Sequence, residues 1–446
     1  MKKFRRFVSC VLLLCTLLSA GMAERQIPQV LKATQTIEIT HLEQFRIITR
    51  SMLYTVRKDV NKAINDRVTA LAEETKPLVP KGYDNINRPA RGDVCTQITR
   101  TGDRWMSFHI VAQISVDNNQ LWVKSEEYTY NMESGRMIRL GEIIREEGWE
   151  PLLREIRSQL MNLFPEDKPE ESALDAICRR ESLEEAGFVM TPGHLALYFP
   201  AGDVYPAHGE ALLRVEIYVP ELWEILTEQA RKETDCTGYD LVALTYDDGP
   251  GKGRTRDVLN QSICHPGQVT FFVIGYRIEK NAELVHKEFD AGHSVQSHSW
   301  RHSVEPAEVV PGKVAEQEER YSRTMGNLIG AAPIMMRPPG GRWKMYRDAG
   351  VEVPLILWSI NSQDASTNAS EEQLDRYYAC AMSAGDGDIV LHHDMKEFAG
   401  KLAERVMDRL EEKNMLMVTV NDLCALRGVK LESGLNLNSC PRTEGE

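Results

Sequence analysis

Two acidic residues stand side by side in Leu241-Val242-Ala243-Leu244-Thr245-Tyr246-Asp247-Asp248-Gly249-Pro250. The apolar run, closed by Gly and Pro, predicts a buried strand that ends in a loop. Adjacent carboxylates repel one another and gain nothing from packing. Something must offset them, and a bound cation is the simplest candidate. An acidic turn is the plain alternative, since Asp-Gly-Pro is good turn chemistry. A second group is Ser297-His298-Ser299-Trp300-Arg301-His302-Ser303. On a helical turn, residues four apart share a face, so His298 and His302 would meet one ion. Two His, one carboxylate and an open position make a hydrolytic metal site. Asp248 is the candidate third ligand, with His293 its rival. Such a set suits Zn²⁺ first, and Co²⁺, Ni²⁺ or Mn²⁺ as alternatives.

Three further stretches carry reactive groups. In Met336-Arg337-Pro338-Pro339-Gly340-Gly341, an Arg at a strand end is followed by a stiff Pro-Pro and a permissive Gly-Gly. Arg337 could hold a carboxylate in one orientation, and the Gly N–H groups could face an oxyanion. Asp364 follows the strand-like Leu357-Trp358-Ser359-Ile360 and could orient a histidine. Ile389-Val390-Leu391-His392-His393-Asp394 is a strand ending in His, of which alternation lets one imidazole point into a site beside Leu391.

The elements that must position these groups alternate in type. Strand patterns over 241–246, 269–274, 294–295, 334–336, 355–358, 389–392 and 415–420 are separated by helical ones from Arg254, from Asn281, over 311–329, from Ser370 and from Glu397. Strands separated by helices predict parallel βα units, closed as a barrel or open as a doubly wound sheet. In either, the site lies at the C-terminal ends of the strands, where every group above falls.

The preceding half reads differently. Lys2, Lys3, Arg5 and Arg6, an apolar run over 7–18 and Gly21-Met22-Ala23 follow the plan of a secretory signal peptide over 1–23. An uncleaved membrane tether is the alternative. Residues 24–92 are expected to be a helical and linker segment, with an amphipathic helix over 42–71. Residues 93–230 read as an α+β domain, with a turn at Asp117-Asn118-Asn119. Its His194 and His208 have no partner pattern and read as structural or surface residues. Residues 429–446 read as a loose tail. The 446-residue chain has a formal net charge of −13, which argues against nucleic acid as a partner but not against a neutral polymer. Beyond the first 23 residues the cysteines are widely spaced and form no CxxC pair, so no zinc-finger pattern or disulfide framework is legible.

The five reactive stretches, in this order and spacing, together with Val269-Thr270-Phe271-Phe272-Val273-Ile274-Gly275, resemble the polysaccharide deacetylase family, the fourth family of carbohydrate esterases. The resemblance covers residues 238–428 and implies an α/β fold: a distorted (β/α) barrel preceded here by the smaller α+β domain. It implies Asp247 as general base, Asp248, His298 and His302 as metal ligands, and Arg337 as the tether of the base. It also implies the Gly340 N–H as oxyanion donor, Asp364 as the carboxylate tuning the acid, His393 as general acid and Leu391 as a wall of the acetate pocket. Gly340 stands where the family usually has Tyr, and Ala365 where it usually has Trp. Ser359 and Asn361 stand where acids are frequent. These departures touch the sugar groove and leave ligands, base and acid in place.

A looser resemblance lies upstream. Ser134-Gly135-Arg136-Met137-Ile138-Arg139-Leu140, Phe188-Val189-Met190-Thr191-Pro192, Leu197-Tyr198-Phe199-Pro200 and Tyr205-Pro206-Ala207-His208-Gly209 are similar to an extracellular domain. That domain precedes deacetylase domains in some Gram-positive proteins and forms the lysozyme-sensing ectodomain of an anti-sigma factor. The two resemblances together imply a secreted or envelope-held, metal-dependent hydrolase of N-acetyl groups on a polysaccharide. Peptidoglycan N-acetylglucosamine is the first expectation for substrate. Chitin oligosaccharides and acetylxylan are the alternatives, and a weakly active envelope-sensing or binding protein is the rival of a different class.

Overall fold

The structure is a computed structural model that describes residues 36–42, 45–51, 57–78, 80 and 90–442, apart from 103, 252 and 367. The signal segment expected over 1–23 lies outside the described residues, as does the end of the tail, 443–446. Among the described residues, no helix is long and apolar enough to cross a membrane.

A six-stranded sheet opens the described chain, in the order β1 (Thr36–Leu42), β2 (Phe45–Ser51), β3 (Ala90–Thr101), β4 (Trp105–Val116), β5 (Asn119–Asn131) and β6 (Arg136–Ile138). The β4–β5 hairpin turns on Asp117 and Asn118, both with positive φ, as a two-residue turn between twisted strands requires. The helix expected over 42–71 is shorter at its start and begins at Lys58, running to Thr75. Residues 45–51 are strand instead. The apolar spacing of Val60, Ile64, Val68 and Leu71 makes a helical stripe, and all four are buried against one face of the sheet with Val94, Ile98, Phe108 and Ile110. The β-rich Phe-Arg-Ile-Ile-Thr before it finds a neighbouring strand, so pairing overrides the helical period there.

The other face of this sheet is polar and nonetheless buried, through Gln97, Thr99, Ser107, His109, Gln113 and Thr129. A smaller sheet covers part of it: β7 (Val189–Met190), β8 (His194–Pro200) and β9 (Leu212–Tyr218), backed by the helix Trp149–Met161. Leu152, Ile156, Leu160, Leu195, Leu197 and Val215 form the core between them.

The remainder is a parallel ring. Strand β10 (Leu241–Asp247), buried along its length, pairs with β11 (Thr270–Val273) and with β15 (Asp388–His393). Strand β11 pairs with β12 (Ser294–Ser297). Ser297 bridges Met336, all that remains of the strand expected over 334–336, and Met336 bridges Leu355 of β13 (Leu355–Ile356). A few residues on, β14 (Ile360–Asn361) pairs with β15 and closes the ring. Strand β16 (Leu416–Met417) pairs with the start of β10 and bridges Gly267, at the end where β10 and β11 are not paired. This irregular closure is a distorted (β/α) barrel. The expected loose tail is docked: β17 (Asn436–Leu437) pairs with β13, and Leu437 and Cys440 are buried in the apolar cluster below the barrel. The spacing of Leu431, Leu435 and Leu437 supplies that apolar contact.

The front sheets meet the barrel through polar contacts. Gln97 Nε2 donates to the Gly267 carbonyl at 2.7 Å, Gln113 and Gln120 both donate to Asp290 Oδ2 at 2.9 Å, and Lys287 pairs with Asp93. Gly267 precedes β11, and Asp290 ends the helix that returns the chain to the start of β12, so the contact lies away from the C-terminal strand ends. His194, read from sequence as unpartnered, has its Nδ1 2.6 Å from Asp422 Oδ1, with both side chains buried. Burial disfavours the imidazolium, but the Asp422 and Glu216 carboxylates outweigh it and hold the His194 pKa above the ordinary value. A raised imidazole pKa adds stability that is complete below the unfolded value of about 6.5 and is lost as pH rises through the folded value. Asp422→Asn is therefore expected to lower the melting temperature most at about pH 6. The gap to wild type should narrow steadily toward about pH 9. A gap that widens with pH would contradict the pairing.

Candidate active site

Strand alternation alone would send Asp247 and Asp248 to opposite faces. Asp248 escapes it with a φ of 78°, a left-handed backbone that Asp tolerates better than most residues. Both acids therefore reach the same imidazole: Asp247 Oδ2 and Asp248 Oδ1 each lie 3.7 Å from His298 Nε2. Asp248 Oδ1 is also 3.3 Å from His302 Nε2. Ligand atoms of Asp248, His298 and His302 fall within 4.8 Å of one another.

The two histidines converge for a different reason from the one their spacing suggests. Residues 298–302 are a turn and not a helix, with positive φ at Ser299 (60°) and His302 (56°). The Ser299 hydroxyl accepts from the His302 N–H at 2.9 Å, and the Ser297 hydroxyl accepts from the Ser299 N–H at 3.1 Å. Side-chain oxygens thus satisfy the backbone and supplant the helix. The buried Trp300 lies against Gly275, where any side chain would overlap its ring.

His298 Nδ1 lies 2.8 Å from the Arg337 carbonyl. A carbonyl only accepts, so Nδ1 carries the proton and Nε2 keeps its lone pair for a cation. Burial is the main cause that lowers the His298 pKa, against the pull of Asp247, and the neutral form is the one that ligates. One carboxylate and two imidazoles, one of them fixed by a backbone carbonyl, fit a divalent cation.

Arg337 is fully buried. Its Nη1 donates to Asp247 Oδ1 at 2.8 Å and to Thr245 Oγ1 at 2.6 Å, its Nη2 to the Leu357 carbonyl at 2.7 Å and its Nε to the Ile356 carbonyl at 3.3 Å. Asp247 is held on one oxygen, leaving the other toward His298. Opposite Asp247 in register, at the end of β15, is His393. Its Nδ1 is 2.7 Å from Asp364 Oδ1, and its N–H donates to Asp364 Oδ2 at 2.9 Å. Burial works against the imidazolium, but the Asp364 carboxylate prevails and raises the His393 pKa. Asp364 is pushed up by burial and more than offset by His393, so it is held below its usual value.

The alternatives left open by sequence resolve. His293 is fully buried away from the cluster, 2.9 Å from the Ser262 hydroxyl, and burial pushes it down to about 3. His392 points away from the site, toward the layer between strands and helices, and stacks on Tyr246 with centroids 5.3 Å apart, while burial lowers it to about 4. Leu391 is buried opposite Thr245. Gly340 is exposed with a φ of 59°, and a Cβ there would stand 3.4 Å from Val304. Ala365 is exposed as well.

Sequence reading passed over Thr245, Asp394 and Thr255. Asp394 is fully buried behind the Asp247-Asp248-Gly249 turn, and its Oδ2 accepts from Thr255 Oγ1 at 2.6 Å. Thr255 in turn accepts from the Gly251 N–H at 2.9 Å. An acid directly after the paired His of an apolar strand was the available signal.

A family profile described as polysaccharide deacetylase matches residues 234–352. Over 169 residues the chain is 31% identical to a chitooligosaccharide deacetylase of Bradyrhizobium, covering 37% of this chain and 75% of that protein. The chain belongs to the polysaccharide deacetylase family. It is also 31% identical over 193 residues to the peptidoglycan-N-acetylglucosamine deacetylase PgdA of Listeria monocytogenes. With the peptidoglycan-N-acetylmuramic acid deacetylase PdaC of Bacillus subtilis it shares 26% over 196 residues. Each match takes in 43% of this chain, and the chain spans 40% of the length of each of those two relatives.

Two outcomes follow from the geometry. One divalent ion per chain should bind, read by Co²⁺ absorption, and His298→Ala should weaken it by more than the 10- to 100-fold typical of losing a supporting residue, about 100-fold or beyond. Arg337→Met should cost about 3–5 kcal/mol in urea unfolding, because it leaves Asp247 buried without its partner.

Proposed function

We propose that the protein is a metal-dependent hydrolase of N-acetyl groups on an envelope polysaccharide. The observation that carries this reading is that Asp247, held by Arg337, and His393, held by Asp364, stand in register at the strand ends beside the Asp248/His298/His302 donor set. A divalent ion held by those three residues, Zn²⁺ by first preference with Co²⁺, Ni²⁺ or Mn²⁺ as alternatives, would polarise the acetyl carbonyl and acidify a water.

This chain's own residues supply the rest. Asp247 accepts the proton of the attacking water, and its Arg337 bond keeps one oxygen aimed inward. The carbonyl oxygen gathers negative charge as the tetrahedral carbon forms, and the Gly340 N–H is the donor assigned to it. His393 gives its proton to the amide nitrogen as the C–N bond breaks, leaving a free amine and acetate. Leu391 forms an apolar wall for the methyl group.

Peptidoglycan N-acetylglucosamine is our first choice of substrate. The names of the Listeria and Bradyrhizobium relatives fit N-acetylglucosamine units, in peptidoglycan for one and in chitin oligosaccharides for the other. Acetylxylan remains the ester alternative. The module over 93–230, with its similarity to a lysozyme-sensing ectodomain, favours a secreted or envelope-held protein, tethered by its N-terminus if the 1–23 segment is retained.

Acetate release from purified peptidoglycan, chitin oligomers and acetylxylan, with metal added and against a chelated control, tests the reading. Asp247→Asn should lose on the order of 100-fold or more, the usual worth of a general base. A protein with bound metal that releases no acetate from any of the three, yet binds glycan, would be a sensor instead. Asp364→Asn removes the group that raises the His393 pKa. A general acid must be protonated, so the alkaline limb of the kcat profile should move to lower pH in this variant.

A further inference from the structure

Cys424 and Cys440 lie in the apolar cluster beneath the barrel, and their sulfur atoms are 3.8 Å apart. Both residues are almost fully buried, at 1% and 3% exposure. Cys424 sits on the helix Val420–Leu426, which follows β16. Cys440 sits on the C-terminal segment just after β17, where its N–H donates to the Gly387 carbonyl at 2.8 Å and Ser439 bridges Asp388. Gly387 leaves no room for a side chain against the Cys440 backbone, so that end is seated. Cys236 belongs to the same cluster, but its sulfur is engaged with the Gly102 N–H and the Thr234 carbonyl, each at 3.4 Å.

We infer that Cys424 and Cys440 are the two halves of a structural disulfide that fastens the C-terminal segment to the underside of the barrel. The step is an exchange with a small or protein disulfide as oxidant. One thiolate attacks a sulfur of the oxidant and releases its first thiol. The second cysteine then displaces the remaining half. One S–S bond forms in the chain, one is lost from the oxidant, and the two electrons and two protons leave with its two thiols. Because both sulfurs are buried, the exchange belongs to folding, before the segment docks.

The segment so fastened supports the site. The Leu355 and Leu357 N–H groups donate to the Leu435 and Leu437 carbonyls at 2.8 and 2.7 Å. The Leu357 carbonyl in turn accepts from Arg337 Nη2, so β17 stands behind the shelf on which the Asp247 tether rests. Cys424 and Cys440 would be positioning residues twice removed from the chemistry.

The full chain, refolded with oxidised and reduced glutathione, is alkylated in urea without reductant, digested with trypsin and analysed by mass spectrometry. The expected product joins the peptide over 414–427 to that over 431–442, and reductant separates them. Closing a loop of this size predicts that reduction lowers the melting temperature by about 5–10 °C. The Cys440→Ser variant should melt at the same temperature with and without reductant. Both peptides individually alkylated, either one capped by glutathione, or Cys440 joined to Cys236 would overturn the inference. So would a variant as sensitive to reductant as wild type.

Discussion

The site depends on one guanidinium in a place where charge is costly. Arg337 has no exposed surface, and a charge so placed persists only if its donors are satisfied. Its hydrogen-bond partners come from two separate strands: Thr245 and Asp247 on β10, and the Ile356 and Leu357 carbonyls at β13. Phe272 of β11 lies under its plane, 4.2 Å from the guanidinium carbon to the ring centroid. Its own carbonyl fixes the His298 tautomer. One residue thus orients Asp247 with its side chain and His298 with its backbone. Neighbouring strands that shift relative to one another would disturb both at once, so barrel closure and site geometry are a single constraint.

That constraint explains the division of labour between two adjacent, chemically identical acids. Asp247 is inside the strand, buried and claimed by Arg337. Asp248 is one residue further, freed from alternation by its left-handed backbone, and open to His302. Position relative to the strand end decides which carboxylate is buried against Arg337 and which stays open to His302. The front sheets take no part in this. They meet the barrel at the opposite strand ends through buried glutamines, an aspartate and a His–Asp pair, whose hydrogen bonds offset part of the cost of burying them.

Much of this was legible in sequence, and the reasons differ by residue. Asp247, Asp248, Arg337 and His393 stand out because each lies at the end of an apolar run, where a polar residue is conspicuous, whereas Asp364 lies past the polar Asn361-Ser362-Gln363 and its link to His393 rests on the family resemblance. His298 and His302 were paired by helical spacing, and they do converge, but a serine-capped turn brings them together. Spacing constrains which residues can meet and leaves the backbone route open. The 42–71 stretch was misjudged because Phe45 and Ile48 fit a helical period as well as a strand, and only a neighbouring strand decides between them. The buried polar face of the front sheet was illegible, because Gln97, His109 and Gln113 alternate with apolar residues just as solvent-facing ones would. The docking of the tail depends on Leu437 and Cys440 meeting a surface built by residues far away in the chain.

Two His–Asp pairs in this chain show what separates structure from chemistry. His194 with Asp422 and His393 with Asp364 have nearly the same Nδ1–carboxylate distance, 2.6 and 2.7 Å, and in both the carboxylate raises the imidazole pKa against burial. By titration alone they are the same device. They differ in what the other edge meets. His194 is sealed, its side chain 2% exposed, with Glu216 3.6 Å from its Nε2. The His393 side chain keeps 16% of its surface, and His393 stands in register with Asp247. A proton held at His194 is sealed in and serves to bind the smaller sheet to the helix that follows β16. The same proton at His393 stands at a partly exposed edge, in register with Asp247. Access, set by which end of the barrel a residue occupies, makes one pair a strut and leaves the other free to act as an acid.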